Sequence, residues 1–349
     1  MTALLALDSL VKAFPHRRTG QPIRAVDGVS LQVGRAETVG IAGESGCGKS
    51  TLARLALRLL EPTEGTVRFD GQDISQAMPR TLLPVRRRMQ AVFQDPLASF
   101  NPREAIREIM REPFDVHRLV PPDGIEARTR ELLASVGLPS VDLERLPGQF
   151  SGGQLQRIAI ARALALDPEL IVGDEPTSAL DPSIQAQIIN VLLEVQRERQ
   201  VALLLISHDL DVLGHMADRL AVMYLGVVVE TGPGRDLMSS PLHPYTQALL
   251  SAAPTLKARR DRTLERVQLP GDPPNPADVP PGCRFHPRCP IAREVCRATV
   301  PPLRAVGDKG HQVACHLAPD DTQAAGVAIA RARLGLPPVA ATEPMEAAL

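Results

Sequence analysis

The sequence predicts an α/β fold with a parallel sheet, followed by a small irregular module rich in proline and cysteine. Up to about residue 240, short runs of Val, Ile and Leu without polar alternation recur between stretches of helical periodicity. That is the pattern of strands buried on both faces by crossover helices. From residue 270 to 290 eight of the 21 positions are proline, too many for a helix or a central strand. At 349 residues the chain has room for one large domain and a smaller one.

Taken in order, the strands expected are Thr38–Ala42, Leu170–Gly173, Val201–Ile206 and Arg219–Tyr224, each short, rich in Val, Ile and Leu, and without alternation. Between them, helical spacing predicts Lys49–Leu60, Gly124–Val136, Gly153–Leu166 and Pro182–Arg199. The texture changes near Ser240, and beyond about Asp320 the chain turns Ala-rich, expected as a frayed helix or a flexible tail. The domains expected are therefore 1–240, with a helical subdomain over about 95–167, then a module over 241–320 and a tail over 321–349. No internal repeat is visible.

Composition excludes some functions. The 39 basic and 40 acidic side chains nearly cancel, which gives no electrostatic reason to expect a nucleic acid partner. Arg86, Arg87 and Arg88 form a short basic triplet, expected to be a solvated face. No apolar run reaches the roughly 18 residues that suggest a membrane span. The first residues lack a basic start and include Asp8, so they do not resemble a secretory signal. These features predict a cytoplasmic protein whose membrane role, if any, comes through partners. Cysteines in such a chain point to ligands or core residues rather than disulfides.

Gly43-Glu44-Ser45-Gly46-Cys47-Gly48-Lys49-Ser50 fits the phosphate-binding pattern G-x-x-x-x-G-K-[ST], and Thr51 continues it into a helix. Glycines there let backbone N–H groups converge on phosphate oxygens, and the helix N-terminus adds its dipole. Lys49 is expected to reach the β- and γ-phosphates and Ser50 to ligate Mg²⁺. The strand ending in Asp174-Glu175 supplies the acidic partner. Asp174 would hold Mg²⁺ through water and Glu175 would act as general base on the attacking water. Cys47 reads either as a redox-sensitive thiol or as a small residue tolerated in the loop.

Further motifs narrow the class. Phe150-Ser151-Gly152-Gly153-Gln154 before a helix resembles the signature of ABC ATPases, usually written with Leu first. Gln94 in Phe-Gln-Asp-Pro resembles that family's Q-loop, Ser178-Ala-Leu-Asp181 its D-loop, and His208 in Ser-His-Asp its switch histidine. The resemblance covers residues 1 to about 235. It implies a P-loop NTPase fold of the ABC nucleotide-binding type and an ATPase paired head to tail with a second such subunit. Ser151, Gly152, Gly153 and Gln154 would then contact the partner's ATP. Glu175, His208 and Gln94 would act on this chain's own ATP, with Gln94 also on Mg²⁺. Phe14 lies where the family places an aromatic that stacks on adenine, and could equally be a core residue.

Three stretches resemble the version found in oligopeptide and dipeptide importers: Phe93 to Pro102, Met223-Tyr-Leu-Gly226, and Pro241 to Leu249. The partners this implies are a second ATPase, expected to be a paralogue, two permease subunits and an extracytoplasmic solute-binding protein, on the cytoplasmic face of the membrane. Nickel, glutathione and oligosaccharides remain alternative cargoes. Cys283, Cys289, Cys296 and Cys315 suggest a metal centre that holds the module together. The resemblance to that family's C-terminal extension points to a [4Fe–4S] cluster, with zinc or free thiols as alternatives. His286, His311 and His316 flank the module and are expected to be surface groups.

Overall fold

The computed structural model describes residues 3–16, 20–178, 180–252, 269, 271–272, 274–308 and 310–318. The tail expected over 321–349 lies outside them, as does Ala179 of the D-loop motif. The chain divides into two units, Met1–Val227 and Val228–Leu349.

The first unit opens with an antiparallel sheet that the apolar runs did not announce. Its strands are β1 (Leu5–Pro15), β2 (Pro22–Val33), β4 (Glu64–Phe69) and β5 (Gln72–Asp73), in the order β2-β1-β4-β5. The β1–β2 ladder runs from Leu5 opposite Val33 to Pro15 opposite Pro22, with irregularities between Leu7 and Ala13 that break strict alternation.

The central sheet is parallel, as expected. Strands β3 (Thr38–Ala42), β6 (Met89–Val92), β7 (Leu170–Asp174), β8 (Ala202–Ser207) and β9 (Arg219–Tyr224) lie in the order β9-β3-β8-β7-β6. Every residue of β3, β7 and β8 is buried, which accounts for their largely apolar sequence without alternation. Parallel pairing of β3 with β8, β8 with β7 and β7 with β6 brings four strand ends to one edge. A crevice at that carboxyl edge is where open α/β sheets bind ligands.

Helices follow the strands. They are α1 (Lys49–Ala56), α2 (Leu83–Arg88), α3 (Pro96–Ser99), α4 (Ile106–His117), α5 (Ile125–Ser135), α6 (Gly152–Ala163), α7 (Pro182–Arg199) and α8 (Leu210–Met216). Helix α4, not expected, buries Ile106, Ile109, Met110 and Phe114 at helical spacing despite its internal Pro113. Helix α1 ends four residues before the expected Leu60. Arg58 is the reason: its backbone turns left-handed (φ 51°) and its buried guanidinium donates to the carbonyls of Ile74 and Leu60.

Arg88 also departs from the solvated face expected of its triplet. Its guanidinium lies 5.0 Å over the Phe69 ring and bonds both Asp70, at 2.6 Å, and Glu169. Arg35 bonds the same two carboxylates. The Arg88 guanidinium above all, with Arg35 beside it, holds the Asp70 and Glu169 carboxyls below the usual carboxylate range.

The second unit is built on β10 (Val227–Pro233), α9 (Gly234–Ser239) and α10 (Pro244–Ala252). Two short strands, β11 (Arg304–Val306) and β12 (His311–Val313), complete an antiparallel ladder in the order β11-β12-β10. Leu242, Val313 and Ala318 form a small core, with Val306 and Cys315 packed against it.

Candidate functional site

The phosphate loop runs from the end of β3 into α1. Its conformation depends on Gly48, the N-cap of α1, whose φ of 107° is open to glycine and strained for any side chain. There is no room either: a Cβ at Gly48 would lie 2.1 Å from the Ala25 carbonyl oxygen. The loop is also tied from outside, since Gly226 N–H donates to the Cys47 carbonyl at 2.8 Å.

Lys49 is buried, and its Nζ donates to the carbonyls of Gly43 (2.8 Å) and Glu44 (3.0 Å), folding the loop around the amino group. Next to it, Ser50 Oγ donates to Asp174 Oδ1 at 2.8 Å. Burial raises the Asp174 carboxyl above its ordinary value, and the Ser50 bond opposes that rise. Glu175 follows in a left-handed conformation (φ 50°), an uncommon one for a side chain with a Cβ, and its N–H donates to the Ile206 carbonyl. That turn aims its carboxylate at His208, whose Nδ1 lies 3.2 Å from Glu175 Oε2. His208 stands at the end of β8, just before Asp209, which caps α8 by accepting from the N–H groups of Asp211 and Val212.

Lys49, Ser50 and Glu175 line one cavity of about 310 Å³ together with Ala25, Ser45, Gly46, Gly48, Thr51 and Gln94. Backbone donors and a lysine suit a polyphosphate there. The hydroxyl of Ser50, the carboxylate of Asp174 and the amide of Gln94 are hard oxygen donors, the set Mg²⁺ prefers. Ala25 was missed by the sequence reading, and nothing in a lone alanine between Arg24 and Val26 could have revealed it.

The signature residues stand apart from this cavity. Ser151 caps α6 in a reciprocal pair: its Oγ accepts from Gln154 N–H (3.3 Å), and Gln154 Oε1 accepts from Ser151 N–H (3.0 Å). Ser151, Gly152 and Gln154 are exposed, while Gly153 packs so closely on α7 that a Cβ would meet Ile184 at 2.5 Å. Phe150 lies under the Arg145 guanidinium at 4.4 Å. In the D-loop segment Ser178 Oγ donates to the Glu175 carbonyl at 3.1 Å, and Asp181 precedes Pro182 at the start of α7. Phe14 is exposed on β1 with Lys12 Nζ 5.3 Å above its ring, outside any core. Cys47 is buried, and desolvation raises its thiol above the ordinary value against the nearby Lys49.

The second unit departs from two expectations. Among the described residues no group of three or more His, Cys, Asp and Glu side chains is placed to hold a metal ion, so the expected ligand set of Cys283, Cys289, Cys296 and Cys315 is not assembled. Burial pushes the Cys289 thiol up to about 12 and that of Cys315 up to about 11, and neighbouring cysteines add to both shifts. The thiolate is the ligating form of cysteine, and burial without a metal disfavours it. His311, expected at the surface, is instead buried and bonded through Nε2 to Oε1 of the fully buried Glu230, at 2.7 Å.

No helix among the described residues is long and apolar enough to cross a membrane. Residues 26–178 match the family described as "ABC transporter", and residues 229–296 match "Oligopeptide/dipeptide transporter, C-terminal region". The chain is 49% identical to the oligopeptide transport ATP-binding protein AppF of Bacillus subtilis, over 90% of this chain and 97% of that one. It is 46% identical to a putative peptide import ATP-binding protein of Brucella ovis, over 90% and 98%. A similar solved structure is the ATP-binding cassette MJ0796, a dimer in a post-hydrolysis state bound to ADP and Pi. Its TM-score is 0.61 and its identity 29%, over 66% of this chain and 99% of that one. CbiO1 of Clostridium perfringens, part of an ABC transporter complex, gives a TM-score of 0.60 at 27% identity, over 68% and 91%. On the fold, the phosphate cavity and these likenesses together, the chain belongs to the ATP-hydrolysing subunits of ABC transporters, in the branch that carries the oligopeptide/dipeptide-transporter C-terminal region.

Proposed function

We propose that this chain powers the import of dipeptides and oligopeptides, as one ATPase of a head-to-tail pair docked on two permease subunits at the cytoplasmic face of the membrane. A solute-binding protein outside would deliver cargo. The observation that carries the reading is the convergence of Lys49, Ser50, Gln94 and Glu175 on one cavity, on a chain that over 90% of its length resembles an oligopeptide transport ATP-binding protein.

Within that reading each residue has a task. The loop Gly43–Thr51 cradles the phosphates with backbone N–H groups, and Lys49 exchanges its loop carbonyls for phosphate oxygens. Ser50, Gln94 and Asp174 would hold Mg²⁺, which supplies charge neutralisation at the phosphates. Glu175 orients water for in-line attack on the γ-phosphate, and His208 restrains the Glu175 carboxylate and the transferring group. Phe14 stacks on adenine. Ser151, Gly152, Gly153 and Gln154 complete the partner's site, while Ser178 and Asp181 meet the partner across the pair.

The four cysteines of the second unit would take up a [4Fe–4S] cluster, or zinc, once deprotonated. In support, backbone N–H groups of Phe285 and His286 near Cys283, of Ile291 near Cys289, and of Leu317 and Ala318 near Cys315 favour the thiolate against burial. Iron, zinc and acid-labile sulfide analysis of anaerobically purified protein tests this, and protein free of all three removes the centre.

The function itself is tested by uptake of a labelled dipeptide and tripeptide in cells lacking this gene and parallel peptide importers. Uptake restored by the wild-type gene and not by Glu175→Gln supports the reading. Unchanged peptide uptake removes peptides as cargo and turns attention to nickel, glutathione and oligosaccharides.

A further inference from the structure

The wall that Ala25 gives the phosphate cavity comes from an irregularity in the β1–β2 ladder. Lys12 lies opposite Val26 and Ala13 opposite Arg24, so one step along β1 takes two along β2, and Ala25 is left over. An extra residue of this kind is a β-bulge, which breaks the alternation and re-aims a side chain. Of the described residues that line the cavity, Ala25 is the one supplied by the antiparallel sheet. The rest come from the loop and first turn over 45–51, and from Gln94 and Glu175 beyond the ends of β6 and β7.

The ladder also fixes what Ala25 stands between. On one side Phe14 pairs with Ile23, two residues and about 7 Å along β2. On the other, the Ala25 carbonyl abuts the phosphate loop at Gly48. A nucleotide with its base on Phe14 and its phosphates in the loop therefore passes its sugar over Ala25. The charged neighbours on β2, Arg24 and Asp27, are bonded to each other at 2.7 Å. The side chain of Ala25 is a single methyl group, with no donor, no acceptor and no rotamer to adjust.

Magnitudes separate two kinds of sugar recognition. A site that hydrogen-bonds a hydroxyl rejects the analogue lacking it by about 10⁴-fold, because its own polar groups are left unpaired. An apolar wall discriminates by size alone, about 10- to 200-fold per methylene.

We propose that Ala25 is a specificity-determining residue that measures the nucleotide's sugar by size and leaves its 2′-hydroxyl unread, so that 2′-deoxynucleoside triphosphates are substrates as well. The proposal rests on the nucleotide reading above, with Phe14 as the platform for the base.

Steady-state hydrolysis of Mg-ATP and Mg-2′-deoxy-ATP by the full-length chain tests it. Inorganic tripolyphosphate, which carries phosphates and no sugar, serves as the competing ligand. In the wild type, kcat/KM for the two nucleotides should agree within about threefold. Ala25→Val and Ala25→Leu should raise KM for both nucleotides in that order, Leu by at least about tenfold, while tripolyphosphate inhibits within about twofold of the wild type. A wild type that rejects 2′-deoxy-ATP by about a hundredfold or more overturns the proposal, and that result needs no variant to fold. So does an Ala25→Leu chain with wild-type KM for ATP. Parallel loss of nucleotide and tripolyphosphate overturns it too, because that marks a deformed loop. Wild-type KM for ATP in Phe14→Ala sinks the base platform instead. A wild type that ignores ATP and tripolyphosphate alike sinks the nucleotide reading, before any substitution at Ala25 is compared.

Discussion

His208 Nδ1 lies 3.2 Å from Glu175 Oε2, joining the ends of two adjacent parallel strands beside the phosphate cavity. The contact is local on the sheet although 33 residues separate the two in sequence. If Glu175 orients the attacking water, Glu175→Gln should lower phosphate release by at least about a hundredfold while ATP affinity stays within about threefold. His208→Ala should lower turnover as well. Equilibrium binding of a fluorescent nucleotide beside a phosphate-release assay checks both, and undiminished turnover in Glu175→Gln would remove it as the base.

Gly48→Ala should abolish nucleotide binding and destabilise the first unit by about 2–4 kcal/mol, since backbone strain and a collision with the Ala25 carbonyl coincide. Gly46→Ala separates the two effects. Its φ is 80° but the space around it is open, so about 1–2 kcal/mol of conformational strain is expected alone. Urea melts of the two variants decide the order.

The pH response of the second unit should centre on His243. Complete enclosure lowers its pKa from the usual 6.5 to about 4, with the nearby Glu230 carboxylate opposing the drop. The folded unit therefore keeps the ring neutral where the unfolded chain binds a proton. Stability should fall as pH drops from about 6.5 to about 4, by about 3 kcal/mol over the whole window. The ring also accepts the Tyr245 N–H through Nδ1 at 3.1 Å. His243→Asn, which keeps an acceptor there, should flatten this acid limb in denaturant titrations.

Cys47 should behave as an inert thiol. Its burial and raised pKa leave little thiolate at neutral pH, so alkylation should be slow in the folded protein. Mass spectrometry after brief exposure to a maleimide checks this. Cys47→Ala should hydrolyse ATP at close to the wild-type rate, and rapid loss of activity through Cys47 alkylation would contradict it.

The partly exposed network of Arg35, Asp70, Arg88 and Glu169 should contribute modestly. A double-mutant cycle on Arg88 and Glu169 is expected to give about 1 kcal/mol at low salt, shrinking as ionic strength rises.

What could be read from the sequence follows from which forces leave a local trace. Strands β3, β7, β8 and β9 were legible because burial on both faces favours a largely apolar run without alternation, and the phosphate loop because its backbone admits few residues. Strands β1 and β2 were not, because bulges interrupt their alternation. The early end of α1 depends on Arg58 reaching Ile74, a contact 16 residues away that no local pattern encodes. Arg88 read as surface charge because its carboxylate partners, Asp70 and Glu169, are distant in sequence. The cysteines were legible as a set, yet their protonation depends on an enclosure that spacing does not reveal.

The phosphate loop is held by segments far from it in sequence: Ala25 against Gly48, and Gly226 bonded to Cys47. Its shape is therefore settled when the chain folds, before any nucleotide arrives. Little ordering entropy is left to lose on binding, so affinity is governed by charge and desolvation. A substitution near the end of β9, touching no phosphate, could then change nucleotide affinity by loosening the mould. Proteins of this design would carry their nucleotide-affinity variants in places a list of contacts to the ligand never names.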